Sequence, residues 1–222
     1  MPVALAMIRL FWVGVFLVPT LGWAQKIEVG GALGGMLYKG DVSPTLNPRF
    51  VQPGGGLFFR YHPTRSFAVR IQASMGRLIG VDSLTTDPYQ RVRGASFRNT
   101  VREFAVLGEY KFRNYTPLRN VKNWTPYVFG GIGVFTHGLK QPGEGPINIA
   151  FPLGAGVKYE FHQPWTLGLE WGTRFTFSDS LDGLKKPTTG TPRLNQSDPD
   201  TKDQYTFVAF TLSYTFYKVF CP

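Results

Sequence analysis

In Trp165-Thr-Leu-Gly-Leu-Glu-Trp-Gly-Thr-Arg-Phe-Thr-Phe177, large apolar residues alternate with small, polar or charged ones. Trp165, Leu167, Leu169, Trp171, Phe175 and Phe177 share one parity; Thr166, Gly168, Glu170, Gly172, Arg174 and Thr176 share the other. A period of two is that of an extended strand, whose successive side chains point to opposite faces. One face therefore requires an apolar surrounding, and the other, carrying Glu170 and Arg174, requires a polar one. Two architectures satisfy this demand. A soluble sheet turns its apolar face to a protein core, and a membrane barrel turns it to lipid.

The pattern recurs in Ile27–Tyr38, Phe50–Tyr61, Phe67–Ile79, Arg98–Phe112, Trp124–His137, Ile147–Phe161 and Tyr205–Val219. The phase of Trp124–His137 stays open, because Tyr127, Phe129 and Phe135 oppose Val128, Ile132 and Val134. Connections alternate in length. Only His62-Pro-Thr-Arg65 and His162-Gln-Pro164 separate two of the strand pairs, whereas long segments join the third strand to the fourth and the seventh to the eighth. Short turns at one end and long loops at the other mark outer-membrane barrels. Charge falls into the same division. The polar faces carry Glu28, Arg60, Arg70, Glu103, Glu109, Lys111, Lys158, Glu160, Glu170 and Arg174, acids and bases in equal number. An eight-stranded barrel has an interior just wide enough for side chains to fill, so these charges are expected to pair and plug it. Arg70 with Glu109, and Lys158 or Glu160 with Glu170, are the pairs that adjacency suggests. The remaining acids, from Asp41 to Asp203, all fall at the long-loop end, while the short-turn end carries Arg65, Arg113, Arg119, Lys122 and Lys218. Tyr61, Phe67, Phe112, Trp124, Phe161, Trp165 and Phe216 supply an aromatic girdle at that same end. The expected fold is all-β: an eight-stranded antiparallel up-and-down transmembrane barrel of the outer-membrane type, with a soluble β-barrel as the rival.

Residues 1–24 read as an export signal, with Arg9 ahead of the apolar run Leu10–Val18, Pro19 breaking it, and small Gly22 and Ala24 before the expected cleavage. The run is too short to span a bilayer as a helix. Residues 25–222 then form one barrel domain. Aromatic residues make up 15% of the chain, with 19 Phe, which favours strands. Cys221 is the single cysteine, which excludes an internal disulfide and leaves an intermolecular bond or a free thiol. The net charge of +10 suits anionic lipid, lipopolysaccharide phosphate or an acidic protein partner, since an exported chain seldom meets nucleic acid.

Several segments look familiar in this order: Gly31-Ala-Leu-Gly-Gly-Met-Leu-Tyr-Lys-Gly-Asp41, Thr125-Pro-Tyr-Val-Phe-Gly-Gly-Ile-Gly-Val-Phe135, Pro152-Leu-Gly-Ala-Gly-Val-Lys-Tyr-Glu-Phe161, Trp165–Gly183, Thr211-Leu-Ser-Tyr-Thr-Phe216 and Cys221-Pro222. Together they resemble the PorG family, outer-membrane barrels of the Bacteroidota type IX secretion system. The resemblance spans nearly all of the chain after the signal. It implies a barrel that works with the periplasmic ring of the secretion machine, rather than an enzyme or the translocon pore. The eight-stranded barrel itself is expected to leave both termini in the periplasm.

Three other chemistries have candidate residues. His137 at the outer end of its strand, with Ser178, Asp179 and Asp182, has the residue types of a hydrolase acting on lipid A, but the fifth and seventh strands are not neighbours in an up-and-down barrel. Asp198-Pro-Asp-Thr-Lys-Asp203 offers closely spaced oxygens for calcium, or a solvated acidic loop. Arg91, Arg93 and Arg98 suit lipopolysaccharide phosphates, or water. The expectation is a non-enzymatic protein without a cofactor. Docking to the ring is expected at the short-turn end, through Arg65, Arg113, Tyr115, Leu118, Arg119, Lys122 and Cys221, because Arg113–Asn123 is longer than a barrel needs to reverse direction. An independent OmpX-like barrel binding ligands or surfaces through its long loops is the alternative.

Overall fold

The computed structural model describes residues 26–40, 48–81, 96–113, 123–138, 147–176 and 203–216. Its strands are β1 Lys26–Lys39, β2 Gln52–His62, β3 Phe67–Val81, β4 Ser96–Lys111, β5 Asn123–His137, β6 Asn148–His162, β7 Trp165–Thr176 and β8 Gln204–Phe216. Every strand pairs antiparallel with its chain neighbours, and β8 pairs with β1, so the sheet closes on itself in chain order. Closure removes all sheet edges and satisfies the backbone polar groups within the sheet, a condition that any structure spanning lipid must meet. The strands run from 11 to 16 residues, long enough to cross a hydrocarbon core when tilted.

The parity read from the sequence decides inside from outside. Leu33, Leu57, Phe104, Ile132, Leu153 and Phe210 all point outward and are each more than half exposed. Arg60, Arg70 and Glu109 point inward and are fully buried. Soluble monomers rarely expose an apolar patch beyond a few hundred Å². An apolar wall running right round a barrel with a charged interior is stable only if lipid surrounds it, so the fold is a transmembrane β-barrel. The open phase of β5 resolves with Tyr127, Phe129 and Phe135 inside and Val128, Ile132 and Val134 outside.

Element ends shift slightly from the sequence reading. Phe50 belongs to a 3-10 turn, Pro48–Phe50, closed by Val51 N–H donating to the Pro48 carbonyl at 3.4 Å, and β2 begins after it. Proline's fixed φ suits such a turn and gives no donor to a ladder. β4 begins at Ser96 and ends at Lys111, one residue before Phe112. Phe177 and residues 217–219, read as strand ends, lie outside the described residues.

Candidate functional site

The interior is built in two storeys. At the short-turn end lies an ionic floor. Charged and titratable residues turned inward there include Glu28 on β1, Arg60 and His62 on β2, Arg70 on β3, Glu109 and Lys111 on β4, Lys158 on β6 and Glu170 on β7. Arg60 Nε donates to Glu109 Oε1 at 2.8 Å, its Nη2 donates to Glu170 Oε1 at 2.8 Å, and its Nη1 donates to Glu28. Arg70 lies 3.1 Å from Glu109 Oε1 and donates to Glu170 Oε1 at 2.7 Å. Lys158 Nζ donates to Glu109 Oε2 at 3.0 Å and sits 3.7 Å from Glu28. Tyr127 donates its hydroxyl to Glu170. The sequence suggested Lys158 or Glu160 as partners of Glu170, but the two arginines hold it instead. Lys158 stands opposite Gly168, a step below Glu170, and its long stem carries the ammonium across the lumen to Glu109 and Glu28.

His62, read from the sequence as a turn residue, ends β2 and joins this floor. Its Nε2 lies 2.9 Å from Glu28 Oε2, and its Nδ1 lies 2.9 Å from Lys111 Nζ. An ammonium can only donate and a carboxylate can only accept, so the ring is the Nε2–H tautomer. One further step along the inward parity Phe58, Arg60, His62 is the signal that would have found it.

Aromatic rings roof the floor. The Arg60 guanidinium sits 4.0 Å from the centroid of Phe58, and that of Arg70 sits 4.7 Å from Phe129, close enough for cation–π attraction. Glycines on other strands make room for the rings. A Cβ on Gly30 would come within 2.4 Å of Phe58, one on Gly156 within 2.8 Å of Tyr127, and one on Gly172 within 2.8 Å of Phe129. Large and small residues thus interlock across the lumen as in a packed core.

Above the roof the contents change. Met36, Tyr38, Leu78, Phe97, Val101, Phe135, Tyr205 and Phe207 form one buried apolar cluster toward the long-loop end. Tyr38 packs edge-on to Phe97 at 4.8 Å, and Phe135 lies 5.9 Å from Tyr205. An ion pair is set into this storey: Arg174 Nε donates to Glu103 Oε2 at 3.1 Å, and Tyr205 donates its hydroxyl to the same carboxylate. The plug expected from charges alone is therefore half ionic and half apolar. All ten charged residues assigned to the lumen are buried within it, Glu160 included.

The other assigned residues are placed as follows. Arg65 is exposed in the β2–β3 turn, and Arg113 is exposed after β4 with its guanidinium 5.7 Å from the Trp124 ring. Tyr115, Leu118, Arg119, Lys122 and Cys221 lie outside the described residues, as do the export signal, Arg91, Arg93, Ser178, Asp179 and Asp182. Arg98 is exposed on the outer wall. His137 is buried beside Phe135, its ring 6.1 Å away, and β6 separates its strand from β7. Asp203, expected in a solvated loop, is buried instead. It accepts from the Tyr38 hydroxyl, and its backbone carbonyl accepts from Thr176 Oγ1 at 2.7 Å. Among the described residues no group of three His, Cys, Asp or Glu is placed to hold a metal ion. The girdle is present: Phe67, Phe112, Trp124, Phe161, Trp165 and Phe216 all face outward at the short-turn end.

A barrel with lipid outside and a packed interior is a membrane protein whose lumen is filled by its own side chains. Residues 8–222 match the model of the family described as Domain of unknown function (DUF6089), and the chain belongs to that family. Among curated proteins none matches it. Solved structures similar to it include Ail, the attachment invasion locus protein of Yersinia pestis, at 13% identity over 87% of this chain and 99% of that one, with a TM-score of 0.47. Neisserial surface protein A is similar at 9% identity over 86% and 97%, TM-score 0.48, and a major outer membrane protein from Thermus thermophilus at 15% over 87% and 100%, TM-score 0.47. These likenesses are too distant to carry a role across.

Proposed function

We propose that this protein is a non-enzymatic outer-membrane barrel that acts at its rims, as a component of the type IX protein secretion machinery docking to its periplasmic ring. The carrying observation is the filled lumen. Arg60 and Arg70, from adjacent strands, reach carboxylates on β1, β4 and β7 and so bar the bore from wall to wall. A barrel closed in this way has no path for solute, and its exposed features are left to do the work. The assignment to type IX secretion rests on the resemblance of the strand segments to the PorG family. Its docking face would be the short-turn end, with both termini in the periplasm. There Arg65 and Arg113 are exposed, Arg119 and Lys122 add charge in sequence, and a basic rim steers acidic partners.

Two variants test it. Arg113, Arg119 and Lys122 are changed together to Glu, or residues 114–122 are replaced by an Asn-Gly turn. Neither alters a described strand, so both should insert and keep heat-modifiable migration. Both should lose co-purification with periplasmic ring proteins, and secretion should fall with it. Retention of the ring and normal secretion in both would reject the proposal.

A further inference from the structure

Outward-facing charges on the strands are few, and their placement is one-sided. Among the described residues they are Lys39, Arg77, Arg98 and Arg102, all basic and all toward the long-loop end. Arg77, Arg98 and Arg102 cluster on one patch of wall. Arg77 on β3 stands opposite Thr100 on β4, and Arg98 and Arg102 flank Thr100 two residues away on the same face. Such diagonal neighbours lie about 7–8 Å apart at the backbone, within reach of one another's guanidinium groups. All three are exposed, and no acid shares the outer wall with them among the described residues.

Height places the patch at a membrane interface. Phe67, in the girdle, and Arg77 are on the same strand and the same face. At about 3.4 Å per residue and a tilt of about 40°, they are separated by about 25 Å along the membrane normal, the height of a barrel's apolar band. Arg102 is opposite Met75, which is 54% exposed, and the next outward residue on β4, Phe104, is 51% exposed. The patch thus begins where the lipid-facing surface ends. Below it is the lipid-facing apolar surface, and the patch itself carries fifteen guanidinium N–H donors (five on each arginine) with no carboxylate on the described part of the wall.

We infer that Arg77, Arg98 and Arg102 form a binding site for the phosphate of a lipid headgroup in the leaflet at the long-loop end, with that lipid's acyl chains lying on Met75, Phe104 and their neighbours. Guanidinium groups bind phosphate bidentately, and three of them around Thr100 hold a charge that no outward-facing acid among the described residues neutralises. Lipid is the source the geometry favours over free phosphate, because the patch is continuous with the apolar band. The inference needs only the membrane-spanning barrel and is independent of any role in secretion.

The test uses the full barrel purified in detergent, titrated in native mass spectrometry with lipid A bearing its phosphates and with the same lipid dephosphorylated. The phosphorylated lipid should bind at least about tenfold more tightly. R77Q/R98Q/R102Q should bring that ratio near one while heat-modifiable migration is kept, and R65Q/R113Q at the opposite end should leave it unchanged. Should the triple variant not insert, Arg77→Gln alone should reduce the ratio. Inorganic phosphate in millimolar excess should not displace the lipid. Equal binding of the two lipids to the unaltered protein, undiminished discrimination in the arginine variants, or displacement by inorganic phosphate would each overturn the inference.

Discussion

The two storeys of the lumen solve the same filling problem with opposite chemistry. The floor holds Arg60, Arg70, Lys158, Glu28, Glu109 and Glu170 in mutual contact, and the upper storey packs Met36, Leu78, Phe97, Val101, Phe135 and Phe207 like the core of a soluble protein. Buried ion pairs add little net stability over apolar packing, but removing one partner is severe because the other charge is left buried. Apolar packing fails more gently, in proportion to the cavity created. The floor should therefore be brittle and the upper storey tolerant.

The largest effect should come from the floor. Glu109→Gln keeps the shape but takes the negative charge from Arg60, Arg70 and Lys158 together, and should cost about 3–5 kcal/mol. Urea unfolding in lipid vesicles reads this as a lowered midpoint. A midpoint unchanged from the unaltered protein would erase the distinction between the storeys.

A leucine pair sharpens the contrast between inside and outside. Leu78 is fully buried in the upper storey, whereas Leu33 faces lipid at 75% exposure. Leu78→Ala leaves a cavity in a packed interior and should cost about 3 kcal/mol. Leu33→Ala leaves a space that lipid can fill, so only the transfer share is lost, about 2 kcal/mol or less. Equal losses would mean that the upper storey is not close-packed.

Smallest is the effect at the roof between the storeys. The atoms nearest a Cβ on Gly172 would belong to side chains, Phe129 Cζ at 2.8 Å and Arg174 Nη1 at 3.0 Å first. Gly172→Ala should cost about 1–2 kcal/mol by overpacking. In a Phe129→Leu background the same change should cost much less, which a double-mutant cycle in urea would measure.

Strand periodicity was legible because lipid outside and a filled bore inside give successive residues of a strand opposite surroundings. The charged residues of the floor were legible too, since Glu28, Arg60 or Glu170 at the polar parity cannot face lipid. Of their pairing only the adjacent Arg70–Glu109 contact was legible, present at 3.1 Å. Arg60 and Glu170 sit on β2 and β7, and only the barrel's diameter and the reach of both side chains bring them together at 2.8 Å. The apolar storey was hidden for a different reason. Phe135 and Phe207 share the inward parity with the charges, so a reading that equates inward with polar sees a phase ambiguity in β5 rather than a second core. Arg77 and Arg102 were missed by the converse bias, being charges on the face taken to be apolar. Asp203 was misread because a loop-end acid looks solvated until Tyr38, far away in sequence, is seen to donate to it.

The central claim is that the two storeys together close the bore. Planar-bilayer recording of the purified barrel tests it directly. The packed lumen predicts no stable ion conductance after insertion, whereas a steady porin-like current through the unaltered protein would contradict it.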